Sequence, residues 1–116
     1  MTAVPMRDPA SPPAVANAAN AAIADTRLDA ATRAHEAGRL DEAQALYLDA
    51  LAHNPYKPEA EHGLGWLLVQ RGDWRGALPR FARAITLRPW EKEFWISQLE
   101  ALIQLGQHEA VHRLVH

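Results

Sequence analysis

Three glycines, Gly38, Gly72 and Gly106, stand 34 residues apart, and the residues around them recur in register. Ala43 and Ala77 share one offset, Tyr47 and Phe81 a second, Ala50 and Ala84 a third, and Pro55 and Pro89 a fourth. A period between 20 and 50 residues marks a stacked-repeat architecture, so it constrains the fold before any single motif does. Within the period the pattern is helical. Leu40, Ala43, Leu46, Tyr47, Ala50 and Leu51 recur at steps of three and four, which places them on one stripe of a helix. Leu64, Leu67 and Leu68 do the same ahead of Gly72.

Each unit therefore reads as two helices joined by a tight turn. The glycine supplies the left-handed residue that ends the first helix, and Asp41 with Gln44 predicts a capping box opening the second. Pro55 and Pro89 close the units, because the residue before a proline is pushed out of helical conformation. Alanines 43, 50, 77 and 84 let backbones approach, while Tyr47 and Phe81 fill the space between helices. Pro79 falls inside the second helix of the middle unit, which predicts a late start or a kink there. Trp74 is expected to pack in the turn as Leu40 does, Trp95 to pack inside its own unit, and Trp90 to be exposed.

This pattern resembles the tetratricopeptide repeat family, whose 34-residue unit is a helix-turn-helix hairpin. The middle unit, 58–91, matches best, with Leu64, Gly65, Gly72, Ala77, Phe81, Ala84 and Pro89 on the motif. The first, 24–57, departs from it at Arg27 and Ala31. The third, 92–116, opens with Trp95, Leu99, Leu102 and Gly106, then runs one residue short in its turn and is incomplete. The resemblance implies an all-α, right-handed superhelical array of about two and a half repeats. An amino-terminal helical extension precedes it, since Ala14 to Ala37 contains no Gly or Pro and is rich in alanine, the best helix former.

Composition bounds the rest. At 116 residues the chain is one domain, read as 14–116 after a proline-rich, disordered segment at 1–13. A formal charge of -2 lacks the positive excess that sequence-independent phosphate binding needs, so nucleic acid is not an expected partner. The absence of cysteine excludes disulfides and thiolate chemistry and fits a reducing cytoplasm. No apolar run is long enough to span a membrane.

One motif points to an enzyme. His108, Glu109 and His112 spell the zinc-protease pattern, two histidines one helical turn apart with a glutamate as general base, and His116 extends the ladder. The repeat already explains Glu109 and Ala110, which follow Gly106 as Glu42 and Ala43 follow Gly38, and no strand or third ligand accompanies them. A catalytic metal is not expected, and metal held by the three histidines would be adventitious. His35, His53 and His62, on separate helices with no nucleophile beside them, are expected at the surface. No catalysis and no cofactor are expected.

The resemblance implies a different role: a concave surface, lined by the first helix of each unit, that holds a partner's peptide or helix. Register assigns to it Asp25, Leu28, Thr32 and His35 from the first unit. The second supplies Glu59, His62, Trp66, Val69 and Gln70, and the third Glu93, Ile96, Glu100, Ile103 and Gln104. Trp66 is the expected anchor, because tryptophan is enriched among binding hot spots. Asp25, Glu59, Glu93 and Glu100 would favour a basic, partly hydrophobic ligand. The clamp with which some relatives hold chaperone tails is absent, its places being taken by Leu28, Thr32, Gly63, Glu93 and Ser97. Ala110, Val111, Leu114 and Val115 form an apolar stripe with no following helix to cover it, which predicts either continuation of the polypeptide or pairing with a second chain. The expected function is a non-catalytic protein-interaction module. Its alternatives are a docking domain cut from a larger bacterial enzyme of the glycosyltransferase, sulfotransferase or hydroxylase type, or a small secretion-type chaperone.

Overall fold

The computed structural model describes residues 14–115, with side chains described over 18–109 and at Arg113. Residues 1–13, the segment expected to be disordered, lie outside the described residues. Five helices follow one another: α1 (Ala14–Glu36), α2 (Leu40–His53), α3 (Pro58–Gln70), α4 (Trp74–Leu87) and α5 (Lys92–Val115). No strand occurs among the described residues.

The first two hairpins turn in the same way. Gly38 and Gly72 have φ of 79° and 82°, where a side chain would be strained and glycine is not. Past each of them the chain closes the same pair of backbone bonds. The Gly38 amide donates to the His35 carbonyl at 3.0 Å and the Arg39 amide to Ala34 at 2.9 Å; Gly72 donates to Val69 at 2.9 Å and Asp73 to Leu68 at 2.8 Å. These are two copies of the glycine-terminated helix end in which the residue after glycine reaches back to the last full turn. Pro58 opens α3 in its first turn, where the missing amide costs nothing.

Gly106 behaves otherwise. The period predicts a helix end there, yet α5 runs through it for 24 residues. The cause lies in the shortened turn. Three residues, Arg39 to Asp41, separate Gly38 from Glu42, whereas only Gln107 and His108 separate Gly106 from Glu109, so the third turn is one residue shorter. Staying helical costs about 1 kcal/mol for glycine relative to alanine, a modest penalty beside a turn that cannot close. The third unit is thus one long helix rather than a hairpin.

Two smaller expectations also change. The capping box at Asp41 does not form, because α2 begins two residues earlier than that cap implies, after Arg39, with no side-chain cap; Asp41 instead receives the Arg71 guanidinium at 2.5 Å. Capping appears one unit later, where the Asp73 carboxylate accepts from the Gly76 amide at 2.9 Å. Pro79 does not delay α4, which starts at Trp74, with the Asp73 cap holding its first turn ahead of the proline.

The core is a row of alanine–aromatic contacts. Ala31, Ala34, Ala43, Tyr47, Ala50, Ala60, Leu64 and Leu67 form one buried cluster, with Leu28 and Leu40 packed against it. Ala77, Phe81 and Ala101 form the second, flanked by Trp66, Val69 and Trp74. Trp74 and Leu40 therefore occupy matching places at the edges of matching clusters. Small residues admit the rings: a Cβ on Gly63 would stand 2.5 Å from the Tyr47 ring, and one on Gly65 would stand 2.5 Å from Phe81.

Candidate functional site

The first helices of successive units, α1, α3 and α5, stand side by side, tied by polar contacts between side chains the repeat register assigns to one surface. The Tyr47 hydroxyl from α2 lies 2.9 Å from Nδ1 of His35 on α1, and Nε2 of the same ring meets the side-chain oxygen of Gln70 on α3. One tautomer of the His35 ring satisfies both partners, with Tyr47 O–H donating to Nδ1 and Nε2–H donating to Gln70. Burial holds the Tyr47 hydroxyl above its usual pKa of 10.0, a hydrogen bond with Thr32 opposes that shift, and the charge of Glu36 adds to it.

A second network joins α3 to α5. Nε2 of His62 is 2.7 Å from the Ser97 hydroxyl, and the Trp66 indole N–H points at Ser97 Oγ (3.1 Å) and at His62 Nε2 (3.2 Å). His62 is wrapped in aromatic rings, with centroids of Phe94 at 4.8 Å, Phe81 at 5.6 Å and Trp66 at 6.4 Å. Desolvation lowers its pKa below 6.5, with the nearby Glu93 carboxylate pulling the other way. The consistent arrangement is a neutral ring whose Nε2 accepts the serine proton while the indole donates to the serine oxygen.

The three histidines expected at the surface are therefore half-buried and hydrogen-bonded, His53 through the Asp49 carbonyl at 2.9 Å. Their positions explain this: His35 and His62 face the adjacent unit, whose packing, with Tyr47, Trp66 and Phe81 of their own units, removes them from water. Ser97 escapes sequence reasoning as a contributor, although it is 4% exposed and ties two of the assigned residues together. Its signal is Gly63, one period earlier, the other small residue where a first helix abuts the preceding unit.

The remaining assigned residues divide by charge and exposure. Asp25 is paired with Lys57, and Glu59 with Arg88 at 3.0 Å, so both acids are neutralised within the chain. Glu93 and Glu100 are exposed and form no ion pair among the described residues. Leu28 and Val69 are half-buried against the two core clusters; Thr32 is exposed, with its hydroxyl donating to the Leu28 carbonyl at 3.0 Å. Ile96 and Ile103 stand exposed on α5, as does Gln104. Trp66 is half-buried, its ring edge-on to Phe81 at 5.5 Å.

Residues 62–93, from the second turn of α3 through α4 to the start of α5, match the family model of the tetratricopeptide repeat. The middle hairpin is a tetratricopeptide repeat. Among solved structures, this repeat protein is similar to a mutant of MamA, with 21% identity and a TM-score of 0.65 over 83% of this chain and 72% of that one. At that identity the likeness is one of fold. No curated protein sequence matches it.

The tetratricopeptide frame also accounts for the tryptophans. Trp90, in the turn after α4, is 72% exposed, as expected. Trp95, expected inside its unit, is 53% exposed, because the second helix that would cover it has been replaced by the continuation of α5; its indole N–H donates to the Pro89 carbonyl at 2.7 Å. The side chains of Ala110, Val111, Leu114 and Val115, and with them His112 and His116, lie outside the described residues. Among the described residues no three His, Asp or Glu side chains converge on a metal-sized site, and no helix is long and apolar enough to cross a membrane.

Proposed function

We propose that the chain is a non-catalytic, cytoplasmic protein-interaction module that takes a partner's peptide or helix against the surface of α1, α3 and α5. The observation that carries this reading is the alignment of the three first helices through His35–Gln70 and His62–Ser97. Those contacts fix the spacing of the helices and leave Thr32, Gln70, Glu93, Ile96, Glu100 and Ile103 facing outward. A segment laid across them would bury the two isoleucines and meet Glu93 and Glu100, the two assigned acids that form no ion pair among the described residues, so the favoured ligand carries an apolar residue and a nearby cation. Trp66 acts here less as a free anchor than as the floor, since its indole N–H is already committed to Ser97.

The experiment is photocrosslinking. A benzophenone side chain placed at Thr32 or Glu100 should capture partners that the same group at exposed Leu48 on α2 does not. Capture that is equal from all three sites, or confined to Leu48, would move the binding surface off the first helices.

A further inference from the structure

Three large apolar side chains, Trp95, Leu99 and Leu102, lie along one stripe of α5 with 53%, 59% and 48% of their surface exposed. Their counterparts one and two periods earlier are not exposed in this way. On α3 these are Glu61, Gly65 and Leu68, and on α1 Arg27, Ala31 and Ala34, each of them buried or half-buried. What covers them is the second helix of their own hairpin. Arg80 reaches Glu61 at 3.0 Å, the Phe81 ring lies on Gly65, and Arg27 meets Asp49 at 2.6 Å. In the third unit the same interface is half made: the first-helix face is present, and no described residue packs over it.

The missing half is in the chain. After Gly106 the sequence resumes second-helix register, Glu109–Ala110 following it as Glu42–Ala43 follow Gly38. Because α5 is unbroken, residues 107–115 continue along its axis at 1.5 Å per residue and cannot fold back over Trp95. The Arg75 guanidinium, from the first turn of α4, pairs with Glu109 and holds this straight course. A second copy placed antiparallel about a two-fold axis brings its own residues 107–115 to the uncovered stripe and has its own stripe covered in return. Such an exchange closes and needs no third partner.

We propose that Trp95, Leu99 and Leu102 are the docking face for the carboxyl-terminal half of α5 from a second copy of this chain, giving a reciprocal homodimer. This face is separate from the groove assignment, which uses Ile96, Glu100 and Ile103, so either reading can fail alone.

Sedimentation equilibrium of the full chain should give twice 12.9 kDa at tens of micromolar, and Leu99→Glu should weaken dimerisation at least tenfold with the far-UV circular dichroism retained. A monomeric native chain overturns the proposal. The chain has no cysteine, so a Leu99→Cys, Leu114→Cys pair reports on the contact directly, the spacing being that of Gly65 and Phe81 less the missing turn residue. Oxidation should yield a covalent dimer on a non-reducing gel. An internal disulfide, which would mean that α5 breaks and covers itself, or no disulfide at all, overturns it.

Discussion

Gly65 lies flush against Phe81: a Cβ on the glycine would stand 2.5 Å from Cε1 of the ring. The ring is fully buried between α3, α4 and α5, so it has nowhere to retreat. Overpacking of this kind costs about 1–3 kcal/mol, and alanine returns about 1 kcal/mol in helix propensity. Gly65→Ala should therefore destabilise by up to about 2 kcal/mol, read as a lower urea midpoint at unchanged slope. A raised midpoint would mean that the ring is free to move.

Removing the ring from the other side tests the same contact. Phe81→Ala should cost about 3–5 kcal/mol, as for other large aromatic truncations in packed cores. Thermal unfolding of the variant is the measurement. In a chain of this size such a loss should leave little native helix at 37 °C.

The three period-marking glycines should respond with opposite signs. Gly38→Ala and Gly72→Ala place a side chain at φ of 79° and 82° and should each lose about 1–2 kcal/mol. Gly106 sits inside α5 with no atom within 4 Å of its added Cβ, so Gly106→Ala should gain about 1 kcal/mol. Denaturant melts of the three variants decide the matter. Loss in all three would show that Gly106 ends a helix after all.

His62 gives the protein a pH dependence whose sign follows from its surroundings. Its pKa is lowered in the folded chain by burial among Phe81, Phe94 and Trp66, with Glu93 partly offsetting this. As pH falls through 6.5 the unfolded chain takes up the proton first, so stability declines from there down to the lower pKa of the folded state. The melting temperature should fall between pH 7 and pH 5, and His62→Gln should flatten that part of the profile. A native profile no steeper than that of His62→Gln would show that the ring titrates normally.

Two arginines separate surface from buried ion pairing. Arg71 meets an Asp41 carboxylate that is 97% exposed, and Asp41→Ala should change stability by less than about 1 kcal/mol. Arg80 meets Glu61, whose side chain is 7% exposed, and Arg80→Ala strands that charge, so the loss should be larger, about 2–4 kcal/mol. Equal effects in paired urea melts would contradict the difference in burial.

The architecture is legible in the sequence because it depends on spacing. Glycines that need a left-handed backbone, alanines beneath rings and prolines after helices each leave a residue-level mark, and two hairpins appear where those marks are complete. The third unit departs from the pattern where the turn after Gly106 is one residue shorter than those after Gly38 and Gly72, and the glycine alone does not end the helix. The site is legible by register and not by contact. Register makes Asp25 and Glu59 open acids, yet Lys57 and Arg88 neutralise them, and those pairings join residues 32 and 29 apart in sequence. Ser97 is hidden for the same reason, since its importance comes from what faces it across α3.

Each helix touches its neighbours in the stack and little else: α1 packs on α2 and α3, α3 on α2 and α4, and α4 on α5. A molecule built this way has no single keystone. Its amides should exchange with solvent along a gradient, slowest around Leu67 and Phe81 and fastest toward the outer end of α1. Heat should thus peel it from the α1 end inward, so that whatever the central hairpin holds is released late.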